Sequence, residues 1–344
     1  MGGPGEREAP EPDGDEHGLI ARYFRPLATA PGTFRLLDDA ASFSPPPGMD
    51  LVLTKDGIAE GHHFLPGEAA DAVARKALRV NLSDLAAKGA TPVGYLVLLG
   101  LGPDWSEEWV RGFAEGLAAD QETYGVSVYG GDTIRADTLI VSITAFGTVE
   151  KGRMVRRAGA RPGDKVYVSG TVGDGALGLL VAKGDARVSG LSAEHRAFLH
   201  DRYRLPRPRV ALAGAIARHA SAALDVSDGL AGDIDKLCAA SVVAAGIAAA
   251  EVPLSEAARA AVEADPDLLS LCLTGGDDYE IACTVSPENA PKFEAAATEA
   301  GVPVRSIGEI GENGGRAVFH GAGGQPMRFA RRAFSHVGAT YSHP

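Results

Sequence analysis

A chain of 344 residues, 45% of them apolar, is long enough for two ordinary domains with sizeable cores. Its net charge of −12 argues against nucleic acid or an anionic membrane as the main partner, although an acidic protein can bind phosphates when metal ions stand between. The three cysteines, Cys238, Cys272 and Cys283, form no CxxC pair, so neither a zinc knuckle nor a disulfide framework is expected and a reducing cytoplasm fits.

Residues 1–17 are rich in Gly, Pro and Glu and lack the basic start and apolar middle of a signal peptide; they read as a disordered tail. Gly18 to Ala28 groups Leu19, Ile20, Tyr23, Phe24 and Leu27 on one side of a short helix. A loop carries Asp38-Asp39-Ala40-Ala41, and Pro45-Pro46-Pro47-Gly48 turns into a strand from Leu51 to Asp56. Glu68 to Gly89 reads as a long helix, with Val73, Ala77 and Val80 recurring on a face that continues to Asp84. Pro92 to Leu101 is a buried strand and Trp105 to Tyr124 an amphipathic helix. Val126 to Tyr129 is a short strand stopping at Gly130-Gly131-Asp132, and Thr138 to Val149 alternates like another. No run is apolar enough to span a membrane.

Between Lys151 and Asp164 the composition shifts to arginines and a Pro162-Gly163-Asp164 turn, which places a boundary between domains 18–150 and 151–344. Beyond it, strands are expected at Lys165–Ser169, Ala222–Val226, Tyr279–Thr284, Val304–Ile307 and Ala317–Phe319. Helices are expected at Gly175–Ala182 and Pro208–His219, and after Ser227-Asp228. The class is a two-domain α/β and α+β protein.

The acids carry the functional signal. Asp56, Asp132 and Asp225 fall at strand ends, Asp228 at a helix start and Asp84 beside an apolar stripe, with glycines near most of them. Two carboxylates about 4 Å apart repel by roughly 4 kcal/mol at an effective dielectric of 20, so converging acids need cations. Carboxylate oxygen without His or Cys selects hard ions, Mg²⁺ above all when phosphates share the coordination. Each acid has a plainer alternative: Asp228 capping the next helix, Asp277-Asp278 forming a turn after Gly275-Gly276, Asp38-Asp39 in a solvated loop. Gly130-Gly131 and Gly170 let backbone N–H groups approach an anion, whereas Gly173-Asp174-Gly175 reads as a tight turn. His62-His63 is no metal pair, since neighbours on an extended segment face opposite ways.

In this order, these segments resemble the thiamine-monophosphate kinase family of the aminoimidazole-ribonucleotide-synthetase-like (PurM-like) superfamily. The matching stretches are Asp38-Asp39-Ala40-Ala41, Asp56 through Pro66, Lys76 through Ala87, Gly130 through Thr133, Asp225 through Leu230 and Gly275 through Glu280. The resemblance implies an N-terminal domain whose sheet pairs across a homodimer, followed by an α+β domain. It implies transfer of phosphate from ATP to thiamine monophosphate, giving thiamine diphosphate. It implies that several Mg²⁺ ions are held by Asp39, Thr54, Asp56, Asp84, Asp132, Asp225 and Asp228. Gly131, Asp132, Arg157 and Ser227 would contact ATP, and His63, Asp277 and Phe334 would line the thiamine site.

A phosphate oxygen is already an ionised nucleophile, so no dedicated catalytic base is expected. Phe334 suits a cationic thiazolium by cation–π attraction. The chain departs from the family pattern at Lys55, where a hydroxyl residue is usual, at Leu37, where a glycine is, and at Asp277, where a glutamate is. Two other readings remain: another ATP-dependent enzyme of the superfamily, and a non-catalytic nucleotide-binding protein. A selenophosphate synthetase is disfavoured because no cysteine precedes Cys238, and a carbamoyl-dehydrating relative because the chain ends Tyr341-Ser342-His343-Pro344.

Overall fold

The computed structural model describes residues 16–334 except 313. The expected tail at 1–17 thus lies outside the described residues but for Glu16 and His17, which open a helical turn. In chain order the elements are α1 (Glu16–Leu19), β1 (Met49–Ala59), α2 (Ala70–Ala87), β2 (Thr91–Leu101), α3 (Glu107–Tyr124), β3 (Ser127–Arg135) and β4 (Ile140–Glu150). There follow β5 (Lys165–Ser169), α4 (Asp174–Ala182), α5 (Ala193–Arg204), α6 (Ala213–His219), β6 (Ala220–Val226), α7 (Leu230–Ser241) and β7 (Ala244–Ala248). The last are α8 (Glu256–Ala264), α9 (Leu268–Thr274), β8 (Glu280–Val285), α10 (Ala290–Glu299), β9 (Val304–Gly311) and β10 (Ala317–His320).

Among the described residues two compact units are formed, one from residues 16–44, 57–75 and 94–143, the other from residues 45–56, 76–93 and 144–334. A four-stranded sheet has the order β1-β4-β2-β3, with β2 and β3 parallel. In the first unit α3 shows why its sequence is helical. Ser106 Oγ accepts from the Trp109 N–H at 3.1 Å, Glu107 and Glu108 sit in the first turn, and Gly125 closes the helix at φ 67°. Its inner face buries Val110, Phe113 and Leu117, with Phe113 stacked on Trp109 at 5.3 Å.

The second unit is built on a six-stranded mixed sheet in the order β10-β7-β9-β5-β8-β6. Along β5 and β8 the side chains alternate between two cores, as the strand period requires. Val166, Val168 and Ala282 join Leu224, Leu230, Ile234 and Leu237. Tyr167, Ile281 and Cys283 join Ile216 and Phe293, with the Tyr167 and Phe293 rings edge to face at 5.2 Å. β8 is buried along its whole length, which fixes the sheet and leaves both its N-terminal loop and that of α7 at one end of neighbouring strands.

Several boundaries differ from expectation. β3 does not stop at the glycines but runs through Gly130, Gly131 and Asp132, taking up the extra residue as a bulge opposite Tyr95/Leu96. A Cβ on Gly131 would collide with the Val97 carbonyl, so the glycine there serves close strand approach. β1 likewise continues past Asp56 to Ala59. Gly18–Ala28 is not one regular helix: α1 passes into a π-helical turn at Ile20–Phe24 and a 3₁₀ turn at Arg25–Leu27 that takes Pro26. Pro208–His219 becomes a 3₁₀ turn at Val210–Leu212 and then α6.

Candidate active site

The site grows from β1 and α2. Thr54 Oγ1 on β1 donates to Asp84 Oδ2 on α2 at 2.5 Å. Asn81, fully buried one turn before Asp84, accepts the Asp56 N–H on Oδ1 at 3.0 Å and donates from Nδ2 to the Ala77 carbonyl. An asparagine on the apolar face of a helix is costly unless every polar atom is paired; here it ties the strand that carries Asp56 to the helix that carries Asp84.

β6 brings Asp225 to the same place. Its carboxyl is buried and held well above the usual carboxylate range, first by loss of water, then by repulsion from Asp84, Asp233 and Asp56 against one favourable Ser83 hydroxyl bond. Asp56 is pushed up to about 6 by loss of water and then by Asp84 and Asp228. Four of the acids expected from sequence, Asp56, Asp84, Asp225 and Asp228, thus crowd one another within one unit, with Thr54 beside them. Among the described residues, no three His, Cys, Asp or Glu side chains form a ready-made metal cage.

The Ser227-Asp228-Gly229 loop is shaped by a residue the sequence reading missed. Asp228 does not cap the following helix. Asp233 does so from inside it, its Oδ2 accepting from the N–H groups of Ser227 (3.1 Å), Asp228 (3.0 Å) and Gly229 (3.1 Å). Lys236 then bridges Asp233 Oδ1 at 2.7 Å and Asp228 Oδ2 at 2.5 Å. The only available signal was an acid three residues into α7, easily taken for a helix-dipole partner. The Phe334 N–H donates to the Asp228 carbonyl at 2.9 Å, and the Phe334 side chain is exposed beside this loop.

The Gly275–Tyr279 loop abuts it. Asp277 N–H donates to the Ser227 carbonyl at 2.9 Å, and Tyr279 N–H to the Val226 carbonyl at 2.8 Å. Gly276 at φ 78° has no room for a Cβ, which would meet Ser227 and Asp228 backbone. The two acids of this loop part company. Asp277 is partly exposed, and its Oδ2 lies 3.3 Å from Lys76 Nζ. Asp278 is buried and accepts from the N–H groups of Gly173 (2.8 Å) and Gly175 (3.1 Å), so the amides of that glycine loop are already satisfied by protein.

Arg157 stands close enough to Lys88 to help hold that ammonium below its ordinary value. Burial is the larger cause, and Asp225 and Asp84 pull the other way. Lys88 Nζ donates to the Ala223 carbonyl at 2.8 Å. The remaining sequence candidates belong to the other unit. His63 Nδ1 accepts from the Ala59 N–H at 3.1 Å, which leaves the proton of the neutral ring on Nε2. Asp132 and Asp39 are exposed; Asp132 Oδ1 accepts from the Thr133 N–H, and the Asp39 N–H donates to Asp38.

The two-domain mixed α/β fold and its acid-lined loops define a class. The models for AIR synthase related proteins match the chain, the N-terminal domain over residues 37–149 and the C-terminal domain over residues 161–321. The thiamine-monophosphate kinase of Caulobacter vibrioides is 46% identical over 88% of this chain and 85% of its own. The crystal structure of thiamine-monophosphate kinase from Stenotrophomonas maltophilia K279a superposes with a TM-score of 0.76 at 36% identity, over 85% of this chain and 91% of that one. A structure described as AaThiL complexed with AMPPCP and TMP gives a TM-score of 0.74 at 30% identity, over 86% and 90%. The chain belongs to the thiamine-monophosphate kinase family of AIR synthase related proteins.

Proposed function

We propose that this protein transfers the terminal phosphoryl group of ATP to the phosphate of thiamine monophosphate, forming thiamine diphosphate and ADP. The observation that carries the proposal is the crowding of Asp56, Asp84 and Asp225, whose charges raise one another's carboxyls, with Asp228 beside them. The complex of a relative with AMPPCP and TMP supports a nucleotide and a phosphate monoester as the reactants.

The donor set fits Mg²⁺: hard oxygens from Thr54, Asp56, Asp84, Asp225 and Asp228, too few in any one spot to enclose the ion without phosphate oxygens and water. Asp39 and Asp132 are proposed as further Mg²⁺ ligands. Bound there, Mg²⁺ supplies neutralisation of the phosphate charge that otherwise keeps two polyanions apart. The chain's own residues position the reactants. Asn81 and Thr54 fix the strand and helix that carry the acids. Arg157 and Gly131 are each proposed to contact the nucleotide. The Ser227 N–H is already engaged by Asp233, leaving its hydroxyl for ATP. His63, Asp277 and Phe334 are proposed to take the thiamine moiety. No side chain needs to remove a proton, because the attacking phosphate oxygen is ionised at neutral pH.

The test is direct: incubate the purified protein with ATP, Mg²⁺ and thiamine monophosphate and separate the products. Formation of thiamine diphosphate is expected. ATP consumption that ignores thiamine monophosphate would point to another superfamily substrate.

A cytoplasmic homodimer is part of the same reading. The three cysteines are buried and unpaired, and no helix among the described residues is long and apolar enough to cross a membrane. Leu51 and Leu53 on β1, Leu96 on β2 and Ile134 on β3 are exposed, a costly display for strands of a sheet unless a partner covers them. Leu53→Glu is expected to convert the protein to a monomer by light scattering; an unchanged mass would remove the sheet from the interface.

A further inference from the structure

Lys76 is a buried cation that the proposed chemistry has not used. Its side chain is 2% exposed, and its ammonium lies 4.0 Å from the centre of the Tyr203 ring and 3.3 Å from Asp277 Oδ2. A lysine so desolvated persists only where a partner holds its charge. The pair is lopsided: Lys76 is inside, while the Asp277 side chain remains 27% exposed and can still face a ligand.

Asp277 is also held from other directions. Its φ of 63° is a left-handed conformation that a non-glycine residue adopts only under constraint, and its N–H is anchored on the Ser227 carbonyl. Burial, and next the Asp277 charge, keep the Tyr279 phenol protonated near the Asp277 carboxylate. An ammonium from one element and a phenol from another thus flank one carboxylate. Lys76 sits on α2 eight residues before Asp84, along the same stripe of the helix. The helix that carries Asp84 at the phosphate end therefore also steers the acid at the other end.

We propose that Lys76 is a positioning and specificity-determining residue for the cationic substrate: its ammonium fixes the Asp277 carboxylate toward the positively charged ring of thiamine monophosphate. This rests on the kinase reading above and on Asp277 facing the thiamine moiety. Lys76 itself is too enclosed to touch substrate, so it acts through Asp277.

The distinguishing experiment is a double-mutant cycle read as KM against kcat, with thermal unfolding as a control for folding. Lys76→Met is expected to raise KM for thiamine monophosphate about 10-fold while KM for ATP and kcat stay within about 3-fold. Asp277→Asn should do the same. The double variant should be no worse than either single, because each change removes the same aimed carboxylate. Lys76→Arg, which keeps the charge, should recover part of the loss. If Lys76→Met does not fold, Lys76→Arg and Asp277→Asn carry the cycle. Equal rises in both KM values, or multiplying losses in the double variant, would show a merely structural lysine and overturn the proposal. A wild type that makes no thiamine diphosphate overturns the kinase reading as well, whereas an active wild type with multiplying losses overturns only the role of Lys76.

Discussion

Two groups of acids lie in the second unit, and they are treated in opposite ways. Asp278 and Asp233 are buried with their oxygens filled: Asp278 by the Gly173 and Gly175 N–H groups, Asp233 by three successive N–H groups and Lys236. Asp225, Asp56 and Asp84 instead face one another, and Asp225 has a Ser83 hydroxyl to set against that repulsion. The first group is what folding selects, carboxyls taken out of water with donors at their oxygens, even though burial raises both. The second is what folding alone would discard, since converging carboxylates without cations cost stability. Neighbours in sequence, Asp277 and Asp278, fall on either side of this line, so the type of residue does not tell the role; the donors around it do.

The comparison breaks most clearly at Asp84. Asp84→Asn keeps the shape and the bond from Thr54 but removes a charge from the repelling set. It is expected to lower kcat/KM by about 10³-fold or more, with an unfolding temperature equal to or above that of the wild type. Loss of stability together with activity would place Asp84 in the structural group. The reverse is expected of Asp278→Ala, which leaves the Gly173 and Gly175 N–H groups without their acceptor. Denaturant titration should show a loss of about 3 to 5 kcal/mol, with the remaining folded enzyme showing its catalysis impaired far less than in Asp84→Asn. A stability change under 1 kcal/mol would mean that water serves those amides as well as Asp278 does.

Much of this division was legible in the sequence and part was not. The helix carrying Asn81 and Asp84, the strand carrying Thr54 and Asp56, and the Asp225–Asp228 loop follow from periodicity and from acids placed beside strand ends. β7 was hidden because Ala244–Ala248 is alanine and glycine around one isoleucine, residues that favour a strand only when neighbours pair with it. α5, with charges on most of its surface, has too weak an apolar stripe to announce itself, although Ser192 does cap it through the His195 N–H. The capping role of Asp233 could not be read at all. It depends on the chain doubling back through Gly229 at φ 119°, a tertiary fact with no local pattern. The occupied amides of Gly173 and Gly175 are a similar case, since the acid that fills them comes about a hundred residues later.

Cys238 supplies the smallest and most controlled test, because it isolates burial from both matching and crowding. It lies on α7 five residues beyond Asp233, fully buried, and burial pushes its thiol up to about 11, with Asp235 raising it further and Arg332 opposing. The unfolded thiol ionises near its ordinary value of 9.0. Below that pH both states are neutral and the burial of Cys238 contributes fully to stability. As the pH rises toward the folded value, the unfolded chain gains a charge that the folded one refuses, so stability falls. Wild type and Cys238→Ala compared by urea unfolding at pH 8, 9 and 10 should therefore converge, the advantage of the wild type shrinking by about 1 kcal/mol by pH 10. A constant difference would mean that the thiol titrates normally inside the fold. Burial alone would then not explain the raised Asp225 either, and repulsion from Asp84 and Asp56 would have to carry most of it.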